Sequence, residues 1–209
     1  ASDVYKRQAQ QRPHVCLKVA STVDGRVAAA DKTSQWITGE PARVAVHLDR
    51  TRRDAILVGT GTVAADDPRL TARNADGEPF AEELQPLRVV MGTSEIPTDA
   101  KVFLPPGHAL HVQTRDVRTA LDELWNHDVR TLLVEGGSQV AAAFLRAGVV
   151  DEVQYYAAPA MLGAGVASLR DGTNILGRTM GDIRRFVPRE LQVFGNDVRW
   201  TMTAPGHTP

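Results

Sequence analysis

The sequence predicts an α/β domain built on a mixed sheet that ends in an antiparallel edge. Three observations carry this. From Pro13 onward, short β-rich apolar runs alternate with helix-like segments. Two of those runs are followed at once by glycine and then a helix, at Gly59 and at Gly136. The last two β-like runs are separated only by Gly195-Asn196-Asp197, which reads as the turn of a hairpin.

The elements follow in order. His14 to Ala20 alternates in polarity and reads as a strand. Asp24-Gly25 supplies a turn, and Arg26 to Ala29 reads as a short return strand. Thr38 to Arg53 reads as a helix, with Thr38 as its cap and Glu40 and Pro41 in its first turn. Ala55 to Val58, Leu87 to Met91 and Ala109 to Val112 are continuous apolar runs of the kind that form buried strands. Val117 to Asn126 has helical periodicity, and Thr131 to Val134 is another buried strand. Gln139 to Ala147 is a helix closed by Gly148. Asp151 to Ala157 is a strand, and Leu191–Phe194 with Val198–Met202 completes the hairpin. Arg73 to Pro86 is polar and turn-rich, so it reads as a surface insertion.

Composition narrows the function. With 43% hydrophobic and 23% charged residues over 209 positions, the chain has the makeup of a globular domain. No apolar stretch reaches the roughly 18 residues of a membrane span, and no secretory signal is visible, so a cytoplasmic location is expected. A formal net charge of −1 gives no reason to expect nucleic-acid binding. The single cysteine, Cys16, excludes an internal disulfide framework and a zinc nucleoside deaminase, which needs a C-x-x-C. The six histidines show no metal-ligand spacing, so no metal is expected. Neither G-x-S-x-G nor a P-loop lysine motif is present. The start, Asp3-Val4-Tyr5-Lys6-Arg7-Gln8, looks like a translated sequencing-adapter scar. Residues 1–11 are therefore set aside as disordered or artefactual, 12–203 are taken as the domain, and 204–209 as a loose tail.

The two glycine turns invite a phosphate-bearing ligand. Val58-Gly59-Thr60-Gly61-Thr62-Val63-Ala64 fits G-x-G-x-x-A, but Asp66-Asp67-Pro68 stops the following helix early and no strand precedes Asp76 or Glu78. A Rossmann site is disfavoured; a tight turn and a different nucleotide site both stay open. At Glu135-Gly136-Gly137-Ser138, the glycines allow close backbone approach and the helix start suits an anion, although a plain strand-to-helix loop capped by Ser138 fits as well. Lys18 lies mid-strand, on a solvated face or toward a cleft. Trp36 is either core or a stacking surface. Arg50, Arg52 and Arg53 suit a helix C-terminus, and Arg69 and Arg73 are either solvated or free to fork onto a phosphate.

Taken together, the segments at 17–43, 54–73, 88–103, 132–145 and 150–165 resemble the reductase domain of riboflavin biosynthesis. In bacteria this is usually the C-terminal half of a bifunctional pyrimidine deaminase–reductase. The resemblance covers about residues 13–203. It implies a three-layer, dihydrofolate-reductase-like α/β fold with a central mixed, mostly parallel sheet ending in an antiparallel hairpin. It also implies NADPH as hydride donor and a homodimer; a deaminase domain lost upstream, which the adapter-like start suggests, and a stand-alone reductase both stay open. The implied reaction reduces 5-amino-6-(5-phosphoribosylamino)uracil to the phosphoribitylamino product, with hydride reaching ribose C1′. Carried over by motif, Ala20, Trp36, Thr62, Asp66, Thr93 and the run Gly137, Ser138, Gln139, Val140, Ala141, Ala142 and Ala143 match cofactor-contacting positions. Ser34, Arg50, Leu70, Arg73 and Glu135 match substrate-contacting positions, with Arg50 and Arg73 suited to the 5-phosphate. Lys18, Asp24 and a water are the candidates for delivering the proton to the ring oxygen. Where many relatives read L-D-S or I-D-S, this chain has Met91-Gly92-Thr93, which keeps the hydroxyl and lacks the acid. Three alternatives stand beside this: the reductase acting before deamination on the 2,5-diamino-pyrimidinone phosphate, dihydrofolate reductase itself, and a non-catalytic nucleotide-binding module of the same fold.

Overall fold

In a computed structural model, residues 11–173 and 176–206 are described. The adapter-like segment, Gln11 apart, lies outside the described residues, as do residues 207–209 of the expected tail. The chain divides into two compact units. One comprises Val46–Gly137 with residues 11–15; the other comprises Cys16–Ala45 with residues 138–206.

The first unit is a parallel sheet with its connections. Strands β3 (Ala55–Gly59), β4 (Leu87–Met91), β5 (Ala109–Val112) and β6 (Thr131–Val134) lie in the order β5-β4-β3-β6, and every pairing is parallel. Ala55 to Gly59 is buried at every position, as an all-apolar run in a parallel sheet requires. Helix α2 (Thr60–Asp66) follows β3 and ends at Asp67, whose φ of 40° starts the turn toward Pro68. The short helix expected before Pro68 is thus present. Ile56, Val58, Val63, Leu70, Val90, Ala100 and Val102 form one apolar cluster. Helix α3 (Val117–Asn126) has the bounds its periodicity predicts, because Asp116 accepts from the Thr119 N–H and fixes the first turn. The 73–86 insertion contains one bridge, Arg73 with Pro79, and a 3₁₀ turn at Glu82–Leu84.

The second unit is mixed. Strand β1 (His14–Thr22) runs parallel to β7 (Glu152–Ala158). Strand β10 (Asp197–Thr203) pairs antiparallel with β7 and with β9 (Val187–Phe194). The α/β class, mostly parallel with an antiparallel hairpin, is as the sequence predicts. Helix α4 (Ser138–Ala147) connects β6 to β7, and Gly148 leaves it at φ 68°.

Four details differ from expectation. Strand β2 (Arg26–Ala28) does not return along β1; it pairs with β8 (Val166–Ala167), a two-residue strand too short to show a pattern. Helix α1 spans Glu40–Arg50 rather than 38–53, and Thr38 is not its cap. Instead the Asp197 carboxylate accepts the Gly39 N–H at 2.6 Å. Ser138 is the first residue of α4, not a residue before it. The hairpin turn has two residues, Gly195-Asn196, because Phe194 and Asp197 already pair, and both strands run longer than predicted. Among the described residues, no helix is long and apolar enough to cross a membrane.

Candidate active site

In the first unit, three neighbouring parallel strands, β4, β3 and β6, all end on glycine-bearing turns. These turns touch. A Cβ at Gly92 would lie 2.6 Å from the Thr60 hydroxyl oxygen. A Cβ at Gly136 would lie 2.6 Å from Val58 Cγ1 and 3.1 Å from its Cα. Gly137, at φ 72°, faces Thr62, whose hydroxyl oxygen would be 3.1 Å from an added Cβ. Only glycine permits this closeness and, at Gly92 and Gly137, this backbone. The result is a cradle of backbone and threonine hydroxyls at the carboxyl ends of the strands, where open α/β sheets hold ligands. Thr62 and Gly137 are thereby brought together. Thr93 lies exposed just past Gly92, and Asp66 is exposed at the end of α2. Thr60 belongs to the cradle too, although sequence reasoning singled out only Thr62.

Helix α4, in the second unit, begins at the residue after Gly137. Its first turn contains no acidic residue, so the positive end of its dipole is uncompensated by side chains. Ser138, Gln139 and Val140 sit in that turn and retain some exposure. Ala141 and Ala142 are buried, and Ala143 is half-buried on the helix body.

The same unit holds the predicted substrate residues together. Arg50, at the end of α1, grips Glu135 with two parallel bonds, Nε to Oε1 at 2.7 Å and Nη2 to Oε2 at 2.9 Å. Both side chains are largely buried, at 12% and 7% exposure. Arg50 Nη1 donates to the Thr71 carbonyl at 2.8 Å. Arg73 Nε donates to the Thr71 hydroxyl at 3.0 Å, and its Nη1 donates to the Gly77 carbonyl. Leu70 is buried and sits at φ 56°, a conformation that costs a bulky residue energy and tends to cluster at functional sites. Gln85 braces the segment from behind, accepting the Ala72 N–H and donating to the Ala72 and Phe80 carbonyls. Nothing local in the sequence marks Gln85 for that task.

His47 completes the cluster, with Nδ1 3.1 Å from the Thr71 carbonyl. Burial, and then the Arg50 charge, push its pKa down from 6.5 to about 4. The folded state therefore refuses a proton that the unfolded chain accepts. His47's contribution to stability is fully present above about pH 6.5 and is lost as pH falls through about 4. Thermal melts across that window should show a steeper loss for the parent than for His47→Gln; parallel curves would contradict this assignment.

In the second unit, Lys18 is half-buried on β1, its Nζ 5.8 Å from the centre of the Tyr156 ring. Ala20 follows on the same strand face. Asp24 accepts the Thr22 hydroxyl and the Leu162 N–H on Oδ1 and the Gly163 N–H on Oδ2. These bonds, the hydroxyl's first, hold its pKa below the usual carboxylate value. Ser34 is half-buried, and Trp36 is 69% exposed with the Arg43 guanidinium 4.5 Å from its ring centre. Trp36 is thus a presented ring and not core.

The family model of the RibD C-terminal domain matches residues 13–199. The riboflavin biosynthesis protein RibD of Mycobacterium tuberculosis is 47% identical over 159 residues, covering 76% of this chain and 46% of the relative. This chain thus spans about half the length of that relative. The 2,5-diamino-6-ribosylamino-4(3H)-pyrimidinone 5′-phosphate reductase of Methanothermobacter thermautotrophicus is 33% identical over 221 residues, covering 93% of this chain and all of that one. Among solved structures, the diaminohydroxyphosphoribosylaminopyrimidine deaminase/5-amino-6-(5-phosphoribosylamino)uracil reductase of Thermotoga maritima superposes with a TM-score of 0.79 at 26% identity. That match covers 96% of this chain and 59% of the other. The family match spans nearly the whole domain, including both glycine turns and the Arg50–Glu135 pair: this chain belongs to the RibD C-terminal domain family.

Proposed function

We propose that this chain reduces 5-amino-6-(5-phosphoribosylamino)uracil to 5-amino-6-(5-phosphoribitylamino)uracil with NADPH, as a cytoplasmic homodimer. The observation that carries the reading is the cradle formed where β4, β3 and β6 end, with the Arg50–Glu135 pair in the same unit. The cradle suits a nucleotide cofactor: its glycines let the three turns close on one another, and the Thr60 and Thr62 hydroxyls lie against them. NADPH, when bound, supplies the hydride that reaches C1′.

The residues divide the remaining work. Thr60, Thr62, Thr93 and the first turn of α4 hold the cofactor's phosphates and ribose. Trp36 offers a flat surface to one of its rings. Arg73 fixes the substrate 5-phosphate, aided by the Arg50 charge, and Leu70, Glu135 and Ser34 shape the seat of the pyrimidine. Opening the ribose ring requires a proton on the ring oxygen and leaves a C1′=N bond for hydride. Asp24 is a poor donor, since three hydrogen bonds hold it as a carboxylate. Lys18, an ammonium on β1, is the better assignment.

NADPH oxidation followed by absorbance tests the reading. Turnover with the aminouracil phosphate is expected, and its absence overturns the proposal. The second reading, reduction before deamination, is favoured by the full-length match to the archaeal reductase. Comparing the two substrates side by side decides between them. Arg73→Ala should raise the substrate KM about tenfold or more, the usual worth of a charge-assisted bond, while moving the NADPH KM little. Equal changes in both would remove Arg73 from the phosphate.

A further inference from the structure

The exposed Trp36 ring is held in place by a relay that begins in the distant hairpin. Asp197, 3% exposed, sits at the β9–β10 turn and accepts the Gly39 N–H at 2.6 Å. The turn also packs on the start of α1: an added Cβ at Gly195, which holds φ 64°, would lie 3.3 Å from Pro41 Cγ. Gly39 and Thr38, fixed in this way, anchor Arg43. The Gly39 carbonyl accepts the Arg43 N–H at 3.2 Å, and the Thr38 carbonyl accepts Arg43 Nη1 at 2.8 Å. The guanidinium then lies 4.5 Å from the centre of the Trp36 ring. A residue this exposed gains little from burial, so its orientation depends on that contact.

We propose that Asp197 and Arg43 are positioning residues that preorganise Trp36 as a stacking platform for a planar ring of the cofactor. The proposal rests on the cofactor reading above. It adds that the hairpin turn, 158 residues from Gly39 in sequence, governs cofactor affinity without touching the cofactor. A ring already held flat loses less freedom on binding than a mobile one.

The test uses the full chain with Trp125 and Trp200 replaced by phenylalanine, leaving Trp36 as the only tryptophan, excited at a wavelength that tyrosine does not absorb. Arg43→Ala and Asp197→Ala should each make Trp36 more readily quenched by acrylamide. They should weaken NADPH binding about fivefold, the order expected for a lost cation–π contact. Trp36→Ala should weaken it at least about tenfold. The effect should fall on the NADPH Kd and KM and spare the KM for the pyrimidine. Arg43→Lys, which keeps the charge and loses the fork, should be intermediate, and Asp197→Asn, which keeps an acceptor, should restore most of the loss. Unchanged quenching in both alanine variants overturns the relay. Changed quenching with an unchanged NADPH Kd overturns its link to the cofactor. If the parent binds no NADPH, the cofactor reading itself fails and the link fails with it, while quenching still decides whether the relay holds the indole.

Discussion

Replacing Arg88 with alanine is expected to cost this protein about 10 °C or more in melting temperature. Arg88 is fully buried in β4, within a strand that otherwise reads as pure core. Its guanidinium meets backbone: Nη1 donates to the Leu104 carbonyl at 2.7 Å and Nη2 to the Gly107 carbonyl at 2.8 Å. Longer bonds reach the carbonyls of His108 and Arg69. Burial, and then Arg69, lower its pKa from the ordinary arginine value, and the group remains a cation. Alanine would remove the side-chain donor from the Leu104 and Gly107 carbonyls and leave a cavity, while the His108 carbonyl keeps the backbone N–H of residue 88. Each buried acceptor left unpaired costs about 1–3 kcal/mol, and the void adds to that. A total on the order of 4 kcal/mol or more is a large share of the 5–15 kcal/mol typical of a domain. For a chain of this size that means a melting temperature lower by about 10 °C or more. Arg88→Lys, whose ammonium satisfies only some of the carbonyls, should fall between. A melt for Arg88→Ala within about 2 °C of the parent would show that the loop at 104–108 does not depend on this side chain.

The second large effect is expected at Glu135. Glu135→Ala removes both acceptors of the Arg50 fork and leaves a guanidinium at 12% exposure facing a void. Breaking one side of a buried pair costs about 3–5 kcal/mol, because the surviving charge has lost its solvent and its partner together. Arg50 also holds the Thr71 carbonyl, so the Leu70–Arg73 segment should shift with it. A displacement of about 1 Å there is enough to lower kcat/KM about 100-fold. Glu135→Gln keeps the shape and one acceptor, and should lose less on both counts. A double-mutant cycle with Arg50→Met separates the pair from its surroundings: its coupling should be large, and near-zero coupling would refute the account.

The parts of this molecule that were legible in sequence are those whose causes are local. Ala55 to Val58 reads as a buried strand because every side chain is apolar, and α3 has readable ends because Asp116 sits one residue before it. The start of α1 was misread because its partner, Asp197, is 158 residues away. Arg50 looks like an ordinary last-turn cation until Glu135, 85 residues on, is placed beside it. The family resemblance grouped them; spacing alone did not. Arg88 gave a weak signal, a lone cation among Leu87, Val89 and Val90, but its carbonyl partners carry no side-chain pattern to read. Strand β2 looked like a return strand because Val166-Ala167 is too brief to announce itself as its partner.

The parallel pairing of β1 with β7 also sets a timetable. Cys16 takes its register opposite Glu152, 136 positions later. A ribosome adding about 5–20 residues per second needs roughly ten seconds to cover that distance. Through that interval β1 waits with its β7 edge unfilled and with Val15, Cys16 and Leu17 among its residues, side chains that end with 0–2% exposure. Meanwhile β3, β4, β5 and β6 have all emerged and can pair among themselves. The chaperone-sensitive moment in this protein's synthesis therefore belongs to β1, long after it has left the tunnel, and closes only when residue 158 is available.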